Sequence, residues 1–252
     1  MGKIRAIAFD LFDTLVWIDK APAPNQRPSF LVKTLAAEGF AVDAATFPDL
    51  YRQTMARHIE ATRDHGRETH NRFWLADALS AAGIPITPED PRIARVVEAH
   101  FALFENRIHP VPGVREMLAQ LAKRYRLGLL SNFTHGPAAR RVLDKFGLSP
   151  FFEVIVISGE IGFRKPHPSA FAPLVEKLGC DCAEIAFVGD NLLDDVSGAR
   201  QCGLQPVWTS IVLQMNGAFS ERWFDSGPER PERDVPEIRA WPDLMTWLER
   251  GS

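Results

Sequence analysis

The sequence predicts an α/β protein: a doubly wound parallel sheet interrupted by an inserted all-helical segment. An apolar run near the start, Ala6-Ile7-Ala8-Phe9, leads straight into Asp10. From Val114 onward, short apolar runs alternate with helical patterns of crossover length. That alternation implies parallel strands with helices on both faces of the sheet. Between these two parts, residues 17–109 carry helical periodicity and no strand-like run.

Residues through Phe9 suit a strand buried on both faces of a parallel sheet. Asp10 then stands at the carboxyl edge, where open α/β sheets bind their ligands. A charge at that depth carries a large desolvation cost unless a cation accompanies it. Trp17–Asn25 is loop-like and holds Pro22 and Pro24. Helical periodicity follows in Phe30–Gly39, Ala44–Arg63, His70–Gly83 and Pro91–Glu105, with Gly or Pro between them. Val114, Met117, Leu118 and Leu121 line one face of the next helix.

Arg126–Leu130 reads as a strand ending at Ser131, Ala138–Phe146 as a helix and Phe152–Ile157 as a strand. Ser169–Leu178 is a helix, and Ile185–Val188 a strand ending at Gly189-Asp190. Asp194–Cys202 is a helix, Pro206–Trp208 a short strand, and Gly217–Pro236 a long surface loop. A strand near Ile238 and a helix over Pro242–Glu249 follow. The expected organisation is a sheet domain of residues 1–16 and 110–252 with a helical insert of residues 17–109. An insert entering after the first strand is placed to act as a lid over the carboxyl edge.

Composition narrows the function classes. A net charge of −3 and a pI near 6.2 give no electrostatic footprint for nucleic acid or an anionic membrane. No apolar run approaches the ~20 residues needed to span a bilayer, and Arg5 and Asp10 interrupt any signal-peptide core. A soluble cytoplasmic protein is expected. Cys180, Cys182 and Cys202 are few and odd in number, without zinc-site spacing, and read as reduced thiols.

Three further polar sites fall at or just beyond strand ends: Ser131-Asn132, Lys165 before Pro166, and Gly189-Asp190 with Asp194-Asp195 following. Singly they read as a turn, a helix entrance and a helix cap. In this order, at one sheet edge with Asp10, they form a constellation. The chain here resembles the haloacid dehalogenase superfamily of aspartate-nucleophile hydrolases, with its Rossmann-like core and a helical cap of the first type. Asp10-Leu11-Phe12-Asp13-Thr14 aligns with that family's Asp-x-Asp-x-Thr, Ser131 with its Ser/Thr, and Lys165 with its Lys. Gly189-Asp190 through Asp195 aligns with its Gly-Asp-x-x-x-x-Asp.

The resemblance implies roles for these residues. Asp10 would be the nucleophile, forming a covalent aspartyl intermediate. Asp10, Asp190 and the backbone carbonyl of Phe12 would hold Mg²⁺. Lys165 would neutralise charge beside Asp10, and Ser131 would donate to the transferred group. Thr14 and backbone N–H groups near Asn132 would complete the anion cradle, and Asp195 would hold Lys165 or a metal-bound water.

Phe12 breaks the pattern, because family phosphatases carry a general acid/base at that place. Such a group contributes about 10²–10⁴-fold. Asp13, one place later, is read as a turn brace, since adjacent strand side chains point to opposite faces. Phe12 and Ser131-Asn132 resemble the family's 2-haloacid dehalogenases, whereas Asp190 resembles its metal-dependent phosphatases. The favoured reading is therefore a Mg²⁺-dependent phosphatase of a small phosphorylated metabolite. The alternatives are a C–halogen hydrolase acting on a halogenated acid and a non-catalytic module that binds a phosphorylated ligand. His58, His65, His70 and His135 are the candidate replacements for the missing acid. Arg57 to Arg72 forms a cation-rich stretch that could recognise anions or be a solvated face.

Overall fold

A computed structural model describes residues 3–18, 26–216, 231 and 234–250. In chain order, β1 (Ala6–Phe9) and β2 (Val16–Ile18) precede α1 (Gln26–Ala37), α2 (Phe47–His65), α3 (Asn71–Ala81) and α4 (Pro91–Glu105). Then come β3 (Ile108–Pro110), α5 (Val114–Leu121), β4 (Arg126–Ser131), α6 (Gly136–Lys145), β5 (Val154–Ile157) and α7 (Ser158–Ile161). The series continues with α8 (Pro168–Leu178), β6 (Ile185–Gly189), a π-helical segment Leu192–Ser197 and α9 (Gly198–Gln201). It ends with β7 (Gln205–Thr209), α10 (Ile211–Asn216), β8 (Glu237–Ile238) and α11 (Trp241–Arg250).

Two compact units result. One comprises residues 1–18 and 109–252, the other residues 19–108. In the first, a six-stranded sheet runs β5-β4-β1-β6-β7-β8, with parallel pairing throughout. The chain moves outward from β1 through β4 to β5, then returns to β6 on the opposite side of β1. That reversal makes the carboxyl end of β1 a topological switch point.

Burial explains why these segments are strands. Every residue of β1 is fully buried, so both faces of the pleat are covered. On one face, Ala6, Ala8, Leu130, Ile185 and Phe187 pack with Phe171, Leu174 and Leu178 of α8 and Ala199 of α9. A Cβ at Gly128 would lie 2.6 Å from Leu174 Cδ1, so α8 can approach β4 this closely because that position has no side chain. The alternate residues Ile7, Phe9, Leu127 and Leu129 face the other way and are equally buried. The apolar faces of α5 and α6 are buried as well.

The second unit holds α1–α4 and no strand segment apart from Ile108 of β3 among its described residues. Asp90 caps α4 by accepting from Arg92 N, with Pro91 at the first helical position. Gly66 ends α2 in the left-handed conformation. No helix among the described residues is long and apolar enough to cross a membrane.

Several boundaries differ from the sequence expectation. Trp17, read as loop, lies in β2, a three-residue segment too short to show a period. The run from Asp194 to Cys202 begins as a π-helical turn at Leu192 and becomes α-helical at Gly198. β5 begins at Val154, because Ser149–Phe151 forms a 3-10 turn before it. Most of the Gly217–Pro236 loop and the Asp19–Asn25 part of the expected first loop lie outside the described residues.

Candidate active site

Asp10 follows the last residue of β1, and its N–H donates to Val188 O at 2.9 Å. The central strand thus delivers it beside the end of β6. It is 6% exposed. Lys165, 2% exposed, meets it from the loop before α8, donating from Nζ to Asp10 Oδ1 at 2.6 Å. The same ammonium donates to Asp195 Oδ1 at 2.6 Å and to Leu130 O at 2.9 Å. A lysine ammonium has three protons, and all three are used.

Asp195 is fixed at its other oxygen, which accepts from Asn191 N at 2.9 Å. It lies so close to the end of β6 that a Cβ at Gly189 would be 2.3 Å from its Cγ. The glycine before Asp190 therefore makes room for the carboxylate that holds Lys165. Asn191 caps the following turn, its Oδ1 accepting from Leu193 N and Asp194 N at 2.9 and 2.8 Å. Asp190 completes the cluster: one carboxylate oxygen from each of Asp10, Asp190 and Asp195 lies within 4.8 Å of the others. Trp208 Nε1 donates to the Asp190 carbonyl at 2.8 Å and steadies that turn.

Three acids around one lysine create an excess of negative charge. Burial raises the Asp10 pKa to about 7; Lys165 pulls it down and Asp195 pushes it up. Asp190 is driven well above the usual carboxylate range by burial and by the charges of Asp195, Asp13 and Asp10. Burial opposes the charge on Lys165, but Asp10 and Asp195 outweigh it and keep the group protonated. An acid cluster of this kind, with hard oxygen donors and a partly exposed Asp190, fits a divalent cation such as Mg²⁺.

The remaining expected site residues divide by what their side chains touch. Ser131, fully buried at the end of β4, has no hydrogen-bond partner for its hydroxyl. A buried orphan donor of this kind calls for a ligand. Thr14 is fully buried and its hydroxyl is directed at Asp190 Oδ1, 3.4 Å away. The Asn132 carboxamide, expected among the substrate-binding groups, is engaged by Lys165 and Asp194 instead. Phe12 stacks on Phe133 from the β4–α6 loop, with ring centroids 4.7 Å apart.

Asp13 calls for a corrected argument. β1 ends at Phe9, so strand alternation does not govern Asp13. It sits in a tight turn at φ 58°, with its N–H donating to Val16 O at 2.7 Å.

In the helical unit the candidate histidines have local tasks. His58 Nε2 lies 2.8 Å from Asp77 Oδ2. His65 Nδ1 accepts from Arg67 N, and His70 Nδ1 caps α3 through Arg72 N. His135 belongs to the sheet unit, where it is buried at the start of α6. Sequence reasoning missed the Leu130 carbonyl and the packing role of Gly189. The glycine was visible in the motif, whereas a backbone carbonyl leaves no sequence signal.

The parallel sheet thus carries a lysine-bridged carboxylate cluster at its switch point, where open α/β sheets bind their ligands. The chain belongs to the haloacid dehalogenase-like hydrolases, whose family model matches residues 4–203. It is 30% identical over 206 residues to a glyceraldehyde 3-phosphate phosphatase of Pyrococcus abyssi, covering 81% of each chain. It is 28% identical over 230 residues to the 5-amino-6-(5-phospho-D-ribitylamino)uracil phosphatase YigB of Escherichia coli, covering 88% of this chain and 89% of that one. In fold it is similar to the crystal structure of a 2-haloacid dehalogenase from Pseudomonas syringae pv. Tomato DC3000. That match has a TM-score of 0.67 at 23% identity and covers 99% of this chain and 100% of the other.

Proposed function

We propose that this hydrolase is a Mg²⁺-dependent phosphatase of a small phosphorylated metabolite, with Asp10 as nucleophile. One observation carries the reading: Asp10, Lys165, Asp190 and Asp195 converge at the carboxyl ends of β1 and β6, and at the end of β4, the neighbour of β1, the buried Ser131 hydroxyl has no protein partner. Phosphatase-named relatives of about this length support it.

In the proposed reaction an Asp10 oxygen attacks phosphorus, and the bond from phosphorus to the leaving-group oxygen breaks. The leaving group departs with the electron pair, and water then hydrolyses the aspartyl phosphate. Lys165 keeps the attacking carboxylate oriented and offsets its charge, Asp195 holds Lys165, and Ser131 donates to a phosphoryl oxygen. Asp10, Asp190 and the Phe12 carbonyl would hold the metal ion, which when bound supplies positive charge to the phosphoryl oxygens. Thr14 supports Asp190. Residues 17–109 serve as a cap that sets specificity, and the protein acts in the cytoplasm, where its free cysteines stay reduced.

Phe12 brings no proton to the leaving group. The substrate then has an acidic leaving group, such as an acyl or aryl phosphate. The second step needs no help of this kind, because its leaving group is the Asp10 carboxylate.

Phe12 also favours a second reading, metal-free C–halogen hydrolysis, since halide leaves unprotonated. Assays of p-nitrophenyl phosphate and 2-chloropropionate, each with Mg²⁺ and with chelator, separate the two. Phosphate release that chelator abolishes is expected. Halide release that ignores chelator would transfer the assignment to the dehalogenase reading.

A further inference from the structure

Asn132 follows Ser131 at the end of β4 and is partly buried. Its Oδ1 accepts from Lys165 N at 2.8 Å, and its Nδ2 donates to Lys165 O at 3.0 Å. The second Nδ2 proton goes to Asp194 Oδ2, also at 3.0 Å. The orientation of the carboxamide is unambiguous. Turned over, it would set nitrogen against the Lys165 N–H and oxygen against both a carbonyl and a carboxylate. One side chain thus grips the N–H and the C=O of a single residue, as a neighbouring strand would, with both of its donors spent.

Lys165 is consequently specified at both ends. Its ammonium is used up by Asp10, Asp195 and Leu130 O, and its backbone is held by Asn132. Asp194, on the same turn as Asp195, anchors the clasp from behind, with Arg164 Nη2 4.0 Å from its Oδ2. A carboxylate is therefore placed where it locks the carboxamide, with a guanidinium near that carboxylate.

We propose that Asn132 is a positioning residue: its carboxamide, backed by Asp194 and Arg164, fixes the backbone of Lys165 so that the ammonium reaches Asp10, and it does not contact substrate. Ser131, whose hydroxyl is orphaned, is then the member of the Ser131-Asn132 pair whose side chain meets the transferred group. This deepens the phosphatase reading and rests on it for the role of Lys165.

Two readouts on the full-length protein test it. With p-nitrophenyl phosphate and Mg²⁺, Asn132→Ala is expected to lower kcat ~10²-fold, since ångström-scale displacement of an aligned group has effects of that order. KM should move less than about threefold, because no substrate contact is lost. Added to Lys165→Ala, the substitution should lower kcat no further, since it acts only through the lysine. The isosteric Asn132→Asp, which removes both amide donors at unchanged shape, should behave like Asn132→Ala. Asp194→Asn, which keeps an acceptor oxygen for Asn132, should retain far more activity than Asp194→Ala.

The second readout needs no turnover. In ¹⁵N-labelled protein at neutral pH, a protected Lys165 ammonium resonance is expected for the parent and lost in Asn132→Ala and Asn132→Asp. A tenfold rise in KM with kcat kept, additive losses in the double variant, or an unchanged ammonium resonance in both single variants would each overturn the proposal. Full activity of Lys165→Ala would instead sink the phosphatase mechanism, and the resonance would still decide whether the clasp exists.

Discussion

Lys165 carries a full charge into a place where it is 2% exposed, and it is stable there because three acceptors receive its protons. Lys165→Met should leave Asp10 and Asp195 facing each other without a cation. Removing one partner of a buried ion pair costs about 3–5 kcal/mol, so a clear drop in denaturation midpoint is expected in chelator. A midpoint equal to the parent's would show that the triad is not under this strain. Phe12, held against Phe133, is the other decisive residue. Phe12→Asp should raise kcat/KM on alkyl phosphates at least tenfold, within the usual reach of general acid catalysis, and leave p-nitrophenyl phosphate little changed. Unaltered alkyl rates in a well-folded variant would remove Phe12 as the cause of leaving-group preference. Asp10, Ser131 and Asp190 were legible because each is a polar residue ending an apolar run, and Lys165 because it stands before Pro166 in the loop beyond one. The task of Asn132 was hidden, because its partners lie 33 and 62 positions away.

At the level of elements, β1 delivers Asp10, the proposed nucleophile, and β6 supplies the space for the carboxylate that holds Lys165. Gly189 is the clearest case, with the Asp195 carboxylate occupying the volume of a Cβ. Gly189→Ala should displace Asp195, destabilise the fold by about 1–3 kcal/mol and lower kcat through Lys165. Wild-type kcat in this variant would show that the Asp195 contact is dispensable. β1, β4, β5 and β6 were readable from their apolar runs, and α4 from Pro91 after a capping Asp90. β2 and β3 were not, since three-residue segments show no periodicity. The π-helical turn at Leu192–Ser197 was equally hidden, because its apolar pattern matches that of an α-helix.

For the whole molecule, the acid cluster couples stability to pH and to metal. In metal-free protein the Asp10 pKa is raised from 3.8 to about 7, and that of Asp190 is raised as well. A raised carboxyl pKa contributes stability that is fully present below the unfolded value and lost as pH climbs through the folded one. Metal binding requires the deprotonated form. The gain in Tm from Mg²⁺ over chelator should therefore grow between about pH 6 and pH 8. A gain that is flat or shrinks over that range would separate the cluster from metal binding. The two-unit organisation reflects one insertion after the first strand of the sheet, a pattern visible in the sequence as a block without strand-like runs.

Acid quench during turnover of p-nitrophenyl phosphate, followed by borohydride reduction and mass spectrometry of the peptide containing Asp10, tests the covalent role of this carboxylate most directly. Reduction of the aspartyl phosphate should convert Asp10 to homoserine, and Asp10→Asn should show neither turnover nor conversion. Sustained phosphate release with Asp10 never converted would contradict the account.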